Sequence, residues 1–332
     1  MKKDLYIDGL KGVAITLVVA AHLVKFNSLD IPEWYKYFKA MVYMFHMPFF
    51  MFLSGYVYFG ANYAVRFFEG PREFMRSRAD RLLAPFLFFG CILFVGKVAT
   101  SGCASLLLCL KSGADNAASF VIGTENSPVF TIWYLFVLFV FSALAPWIQK
   151  AVSGRWSGHI LIAVLMYFVD VPDVVYLNRV FGFYLFFVLG GAAQSVDLLG
   201  RAKQSGWLQH FCMLGTTLLF ISLMFLIDDR FWGLLVIGSL SLAVVPYCYS
   251  LLFRKVKEVF IWLGHRSMAI YLLNVPLIGL GKFALTGFFA RDGYVGNVGL
   301  IWLFLCGLFG SVMVRYAMLR SLPNLFITKY IK

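Results

Sequence analysis

Runs of about twenty apolar residues recur along the chain, separated by short polar segments. At about 1.5 Å rise per residue, a helical run of that length crosses a hydrocarbon layer about 30 Å thick. Ten stretches qualify: 9–27, 41–60, 82–100, 129–147, 158–176, 177–196, 207–227, 231–252, 259–281 and 297–316. The fifth has the shortest clean core, His159 to Val169, and Asp170, Pro172 and Asp173 follow at once. Cys103 to Leu110 is apolar but too short to span, and reads as re-entrant or interfacial. No segment shows the ten-residue alternation of a barrel strand, and backbone groups in lipid are satisfied only within helices or closed barrels. The pattern predicts an all-α, polytopic membrane protein of about ten transmembrane helices in one bundle. No repeat, low-complexity tract or long linker divides it, so residues 1–332 read as a single transmembrane domain.

Composition agrees with the pattern. The chain is 61% hydrophobic and 14% charged, against about 45–50% and about 25% for soluble domains. The net charge of +13 would suit nucleic acid, but the cations sit between apolar runs, where they act as topology signals. No nucleic-acid partner is expected; the expected partner is a lipid bilayer. With the N-terminus inside, the inner segments hold Lys2, Lys3, Arg66, Arg72, Arg76, Arg78, Arg81, Lys150, Arg155, Arg201, Lys203, Arg254, Lys255, Lys257, Arg320, Lys329 and Lys332. The outer ones hold far fewer: Lys25, Lys36, Lys39, Lys111, Arg179, Arg230 and Arg291. This asymmetry supports ten spans with both termini cytoplasmic. The six cysteines have no metal-ligand spacing and read as small apolar residues, so no metal site is expected.

Polar residues inside the apolar runs carry the candidate chemistry. The first run contains Asp8, Lys11 and His22. Eleven residues make three helical turns plus about 20°, so Lys11 and His22 share a face about 16 Å apart along the axis, with Asp8 one turn below. Charged and imidazole groups within hydrocarbon face a bundle interior or an aqueous cavity, and read as functional by default; the alternative is a structural histidine bonded to a neighbouring helix. In the second run His46 precedes Pro48, which places it at a kink or a helix start. It either caps that kink, orients His22 or binds an acceptor.

The loop after the second run carries Arg76, Arg78 and Arg81, with Arg78 and Arg81 on a shared helical face. Guanidinium forks suit the phosphates of a nucleotide-like donor; anchoring at lipid headgroups is the other reading. Ser267, Tyr271 and Asn274 fall at i, i+4 and i+7 and line one helical face, here assigned to the same cavity. Arg266 either meets the donor or snorkels to the interface. Glu125, Asp170 and Asp173 are outer loop charges, and His159, His210 and His265 sit near span ends.

Three blocks together resemble the acyltransferase-3 family of polytopic bacterial membrane O-acyltransferases, more narrowly its fucose 4-O-acetylase-like branch. They are Asp8-Gly-Leu-Lys-Gly with His22, the block Phe45-His-Met-Pro-Phe-Phe-Met-Phe-Leu-Ser-Gly-Tyr56, and Arg78-x-x-Arg81 leading into Leu-Leu-Ala-Pro-Phe. Trp133-Tyr134-Leu135 and the stretch from Leu263 to Pro276 add weaker support. The resemblance implies acyl transfer from a cytoplasmic acyl-CoA, usually acetyl-CoA, to a sugar hydroxyl of a cell-surface glycan or its lipid-linked precursor. It implies a catalytic His22, with Lys11, Arg78 and Arg81 handling the donor. The chain departs from the family pattern in two places. Lys11 stands where Arg is commoner, which keeps the charge but loses the bidentate fork; Asn274 stands where His is common.

Residues and resemblance together predict a membrane O-acetyltransferase with His22 as general base, aided by His46. Its partners are an acyl-CoA donor and a saccharide acceptor, and a homo-oligomer is compatible with it. No cofactor is tightly bound; acetyl-CoA is a co-substrate. The competing readings are a transporter or flippase for a glycan or amphiphile, and a non-catalytic partner in a glycan-assembly complex.

Overall fold

The computed structural model describes residues 4–24, 31–100, 131–201, 207–288, 295–321 and 328–331. The expectations placed on Cys103 to Leu110, Glu125 and the cations Lys2, Lys3, Lys25, Lys111, Lys203, Arg291 and Lys332 lie outside the described residues. Among the described residues the regular elements are all helical, as the apolar periodicity predicts.

Asp4 caps the first helix: its carboxylate accepts the Tyr6 N–H at 3.0 Å. That helix, α1, runs Leu5–Ala21 and stops at His22, whose N–H returns to the Val19 carbonyl at 3.0 Å. Next come α2 (Glu33–Gly60), α3 (Tyr63–Glu69) and α4 (Pro71–Arg78). A π-turn over Ala79–Leu83 leads into α5 (Ala84–Thr100). Then follow α6 (Trp133–Ala151), α7 (Trp156–Phe168), α8 (Leu177–Ser195), α9 (Trp207–Leu226) and α10 (Arg230–Leu251). The chain continues through α11 (Arg254–Gly264), α12 (Ser267–Phe288) and α13 (Asn297–Ser321). Among the described residues, six helices are long and apolar enough to cross a membrane: α2, α6, α9, α10, α12 and α13.

Several boundaries differ from the sequence pattern: the helix of run 9–27 ends at Ala21, and that of run 158–176 at Phe168. The second run was expected to begin at 41, but α2 begins at Glu33, so Lys39 lies inside a helix and is buried at 2% exposure. Pro48 lies inside the same helix, and His46 is therefore in its interior rather than at its start. The run 259–281 is two helices. α11 ends at Gly264, His265 and Arg266 turn, and α12 begins at Ser267.

The chain packs as two compact units. One comprises Met1–Leu53 with Val196–Lys332, the other Ser54–Ser195, and α2 contributes to both. In the first unit α1 packs on α11 and α12. A Cβ on Gly12 would meet the Phe260 carbonyl oxygen at 1.9 Å, and one on Gly264 would meet the Asp8 carbonyl oxygen at 1.7 Å. The two backbones touch, an approach that only glycine permits. Lipid tails are as apolar as leucine, so helix association in a membrane depends on such close packing more than on hydrophobic transfer. The far end of α1 joins a second apolar cluster, in which Ala21 packs with Val42, Phe45, Phe220, Ile237 and Val244 from α2, α9 and α10.

In the second unit α6 packs against α3 and α8, and α7 against α8. Phe141, Phe186 and Phe187 are fully buried there. Buried hydroxyls find partners: Tyr58 donates to the Ser142 carbonyl at 3.1 Å, and Ser54 pairs with Tyr134. His159, expected near an interface, is instead completely buried, its Nε2 2.8 Å from the Tyr184 hydroxyl.

Candidate active site

The first unit brings His22 and His46 together. Their ring centroids are 6.1 Å apart, nearly perpendicular at 76°. Tyr43 packs against both, 5.6 Å from His22 and 5.0 Å from His46. His46 is 2% exposed and His22 half-buried. Both rings therefore lie against protein in the helical bundle, beside the cluster of Ala21, Val42 and Phe45.

Backbone carbonyls decide which ring nitrogen holds the proton. His22 Nδ1 is 2.6 Å from the Val18 carbonyl oxygen, and His46 Nδ1 is 2.7 Å from that of Val42. A carbonyl only accepts, so each Nδ1 donates. In the neutral ring Nε2 then carries the lone pair. Two imidazoles on different helices thus present the basic nitrogen in the same tautomer, the state a general base requires.

At the other end of α1, Asp8 is a hub. Its Oδ1 takes the Lys11 ammonium at 3.2 Å and its Oδ2 lies 3.0 Å from His265 Nε2. Lys11, expected to face the donor, therefore shares its charge with a carboxylate one turn away. His265 reaches Asp8 because α11 stops at Gly264, against the Asp8 backbone. The sequence placed His265 only near a span end; the glycine beside it was the available signal. Arg266 lies 4.2 Å over the Trp262 ring and donates to the Trp262 carbonyl at 2.8 Å.

Ser267, Tyr271 and Asn274 do share one face of α12, the first half-buried and the other two buried. The Asn274 amide nitrogen donates to the carbonyls of Ile270 and Tyr271, both at 2.8 Å. Its Oδ1 is buried with no hydrogen-bond partner among the described residues.

The arginines belong to the second unit. Arg76 and Arg81 are exposed, whereas Arg78 is half-buried. The Arg78 guanidinium lies 3.7 Å over Tyr63, with Phe74 at 5.2 Å and Tyr58 at 5.7 Å. Burial lowers its pKa from the usual guanidinium value, and the Tyr63 hydroxyl works against that shift. The π-turn between Arg78 and Arg81 replaces i→i+4 bonding by i→i+5. The two arginines differ in burial.

A test separates these roles. Arg78→Ala is expected to lower thermal stability by about 1–2 kcal/mol through its lost aromatic contacts. Arg81→Ala is expected to leave stability within about 0.5 kcal/mol. Melting curves of the two variants in detergent check this, and equal losses would refute the packing role of Arg78.

A nodulation protein NolL of Mesorhizobium japonicum is 27% identical over 309 residues, covering 82% of this chain and 76% of that protein. A nodulation protein NolL of Sinorhizobium fredii is 37% identical over 100 residues, covering 29% of this chain and 26% of that protein. No solved structure matches. The acyltransferase-3 family model, described as an acyltransferase domain, matches residues 4–320, nearly the whole chain. A helical chain with membrane-length apolar helices, matched over residues 4–320 by that model, is a membrane acyltransferase and belongs to the acyltransferase-3 family.

Proposed function

We propose that the protein moves an acetyl group from acetyl-CoA to a sugar hydroxyl of a cell-surface glycan or its lipid-linked precursor, with His22 as general base. The observation that carries this reading is the His22 Nδ1 contact to the Val18 carbonyl, which leaves Nε2 as the basic nitrogen. Nε2 takes the hydroxyl proton as the oxygen attacks the thioester carbonyl. The tetrahedral intermediate expels the CoA thiolate, and the imidazolium returns the proton to it. His46, in the same tautomer 6.1 Å away, orients His22 or the acceptor.

Lys11, Arg76, Arg78 and Arg81 are the cations assigned to the donor. Phosphate groups do not enter hydrocarbon, so the donor stays on the cytoplasmic side of an inner membrane whose cations lie mainly inside. Exposed Arg76 and Arg81 are open to phosphate oxygens. Acetyl-CoA acts as co-substrate, and no tightly bound cofactor is invoked.

The test is acetyl transfer by the purified protein in liposomes. Labelled acetyl-CoA is expected to transfer its acetyl group to glycan extracted from the producing cell. Mass spectra of surface glycans from cells lacking the protein should have lost one acetyl increment. Glycans identical with and without the protein, together with no labelled product, would sink this assignment.

A further inference from the structure

Lys39 lies seven residues before His46 and four before Tyr43, so the three share one face of α2. The residue as a whole is 2% exposed. It donates to the Val24 carbonyl, two residues beyond His22, and lies 5.5 Å from the Tyr43 ring centroid. Tyr43 in turn packs on both imidazoles. One turn earlier on α2, the Tyr35 hydroxyl donates to the Ala20 carbonyl at 2.9 Å. Two side chains of α2 therefore hold the end of α1 on either side of His22.

Tyr35 does this without charge, so a neutral donor suffices for such a bond. Removing an ammonium from water costs several kcal/mol. A charge kept at that cost, against the tyrosine ring that packs on both imidazoles, has work that a neutral donor cannot do.

We propose that Lys39 is a catalytic residue whose ammonium stabilises the oxyanion formed on the thioester carbonyl during acyl transfer. The proposal rests on the acyl-transfer reading above. The acceptor oxygen bonds to the carbonyl carbon, and its proton passes to His22 Nε2. The carbonyl π pair moves to oxygen, where the Lys39 cation receives the negative charge. Collapse restores the carbonyl, breaks the C–S bond and releases the thiolate, which recovers the proton from His22. The anion lives only between attack and collapse, so the charge stabilises the transition state more than the bound donor.

The test uses full-length protein in liposomes and two unreactive donor analogues. Carboxymethyl-CoA carries an anionic carboxylate near the position of the acetyl carbonyl, and acetonyl-CoA a neutral ketone of similar size. The wild type is expected to bind the anionic analogue at least about tenfold more tightly. Lys39→Gln keeps a donor for the Val24 carbonyl but loses the charge. It is expected to lower kcat about 100-fold, to leave KM for acetyl-CoA within about threefold, and to abolish the analogue preference. Lys39→Arg should recover at least about a tenth of wild-type turnover, because the cation returns.

Equal affinity of the wild type for the two analogues would overturn the proposal. So would Lys39→Gln turnover within about threefold of wild type, which would reduce Lys39 to a cap on α1. If Lys39→Gln does not accumulate folded, the wild-type analogue comparison decides alone. A wild type that transfers no acetyl group at all removes the acyl-transfer reading, and this proposal with it.

Discussion

His22→Gln is expected to lower acetyl transfer by about 10²–10⁴-fold, the range that a positioned general base contributes. The glutamine amide is close to imidazole in size and can still donate to the Val18 carbonyl. It has no basic lone pair where Nε2 stood. The loss should therefore fall on kcat, with KM for acetyl-CoA and the melting temperature nearly unchanged. His46→Gln separates the two imidazoles. His46 is the more deeply buried ring, so its replacement should lower stability as well as rate. Turnover of labelled acetyl-CoA by each variant, with a melting curve in the same detergent, is the measurement. Wild-type turnover by His22→Gln would remove that residue from the chemistry.

Gly264→Ala is expected to be among the most damaging single-methyl additions in the chain. Its Cβ would lie 1.7 Å from the Asp8 oxygen, 2.7 Å from the Asp8 carbonyl carbon and 3.1 Å from the Gly12 nitrogen. All three atoms are backbone, and no rotamer moves them. α1 and α11 must separate, at a cost of about 1–3 kcal/mol or more. Separation also draws His265 away from Asp8 and disturbs the carboxylate that holds Lys11. Gly12→Ala acts on the same contact from the other side, against the Phe260 oxygen at 1.9 Å. The double variant should cost less than the sum of the two, because one separation relieves both clashes. Gly279→Ala is the control. Nothing lies within 4 Å of its added methyl, and alanine favours helix by about 1 kcal/mol. Thermal unfolding of the four proteins in one detergent reads the effect. A Gly264→Ala protein as stable as the Gly279→Ala control would mean that the helices do not touch there.

Much of this was legible in the chain before any coordinates. The all-helical membrane character follows from run length alone, because twenty apolar residues in lipid leave the backbone no other way to satisfy itself. His22 and His46 stand out because imidazoles are costly in apolar runs. The order of the motif blocks pointed to the family that the match over residues 4–320 establishes.

Residues outside the obvious runs were harder to read. Lys39 looked like an outer-loop cation because the apolar window opened only at 41, while the helix begins at Glu33. Lys36, three residues earlier, is the solvated kind of cation, paired to Glu33 at 2.6 Å. Local sequence does not distinguish the two, since burial is decided by what packs against each. The difference in burial between Arg78 and Arg81 was hidden for a similar reason. A π-turn and three aromatic rings set Arg78 apart, and neither has a signature in the spacing.

The sequence by itself determined the solvent in which this protein folds, its helical class and the polar groups that must avoid lipid. Those properties depend on how far each residue prefers hydrocarbon to water, which is local. The tertiary structure decided that two imidazoles meet edge to face, that carbonyls of their own helices hold both Nδ1 protons, and that a distant lysine closes on the end of α1. Those outcomes depend on where backbones can approach. At Gly12 and Gly264 that approach is set by the absence of a side chain, whose consequence appears only when a partner helix arrives.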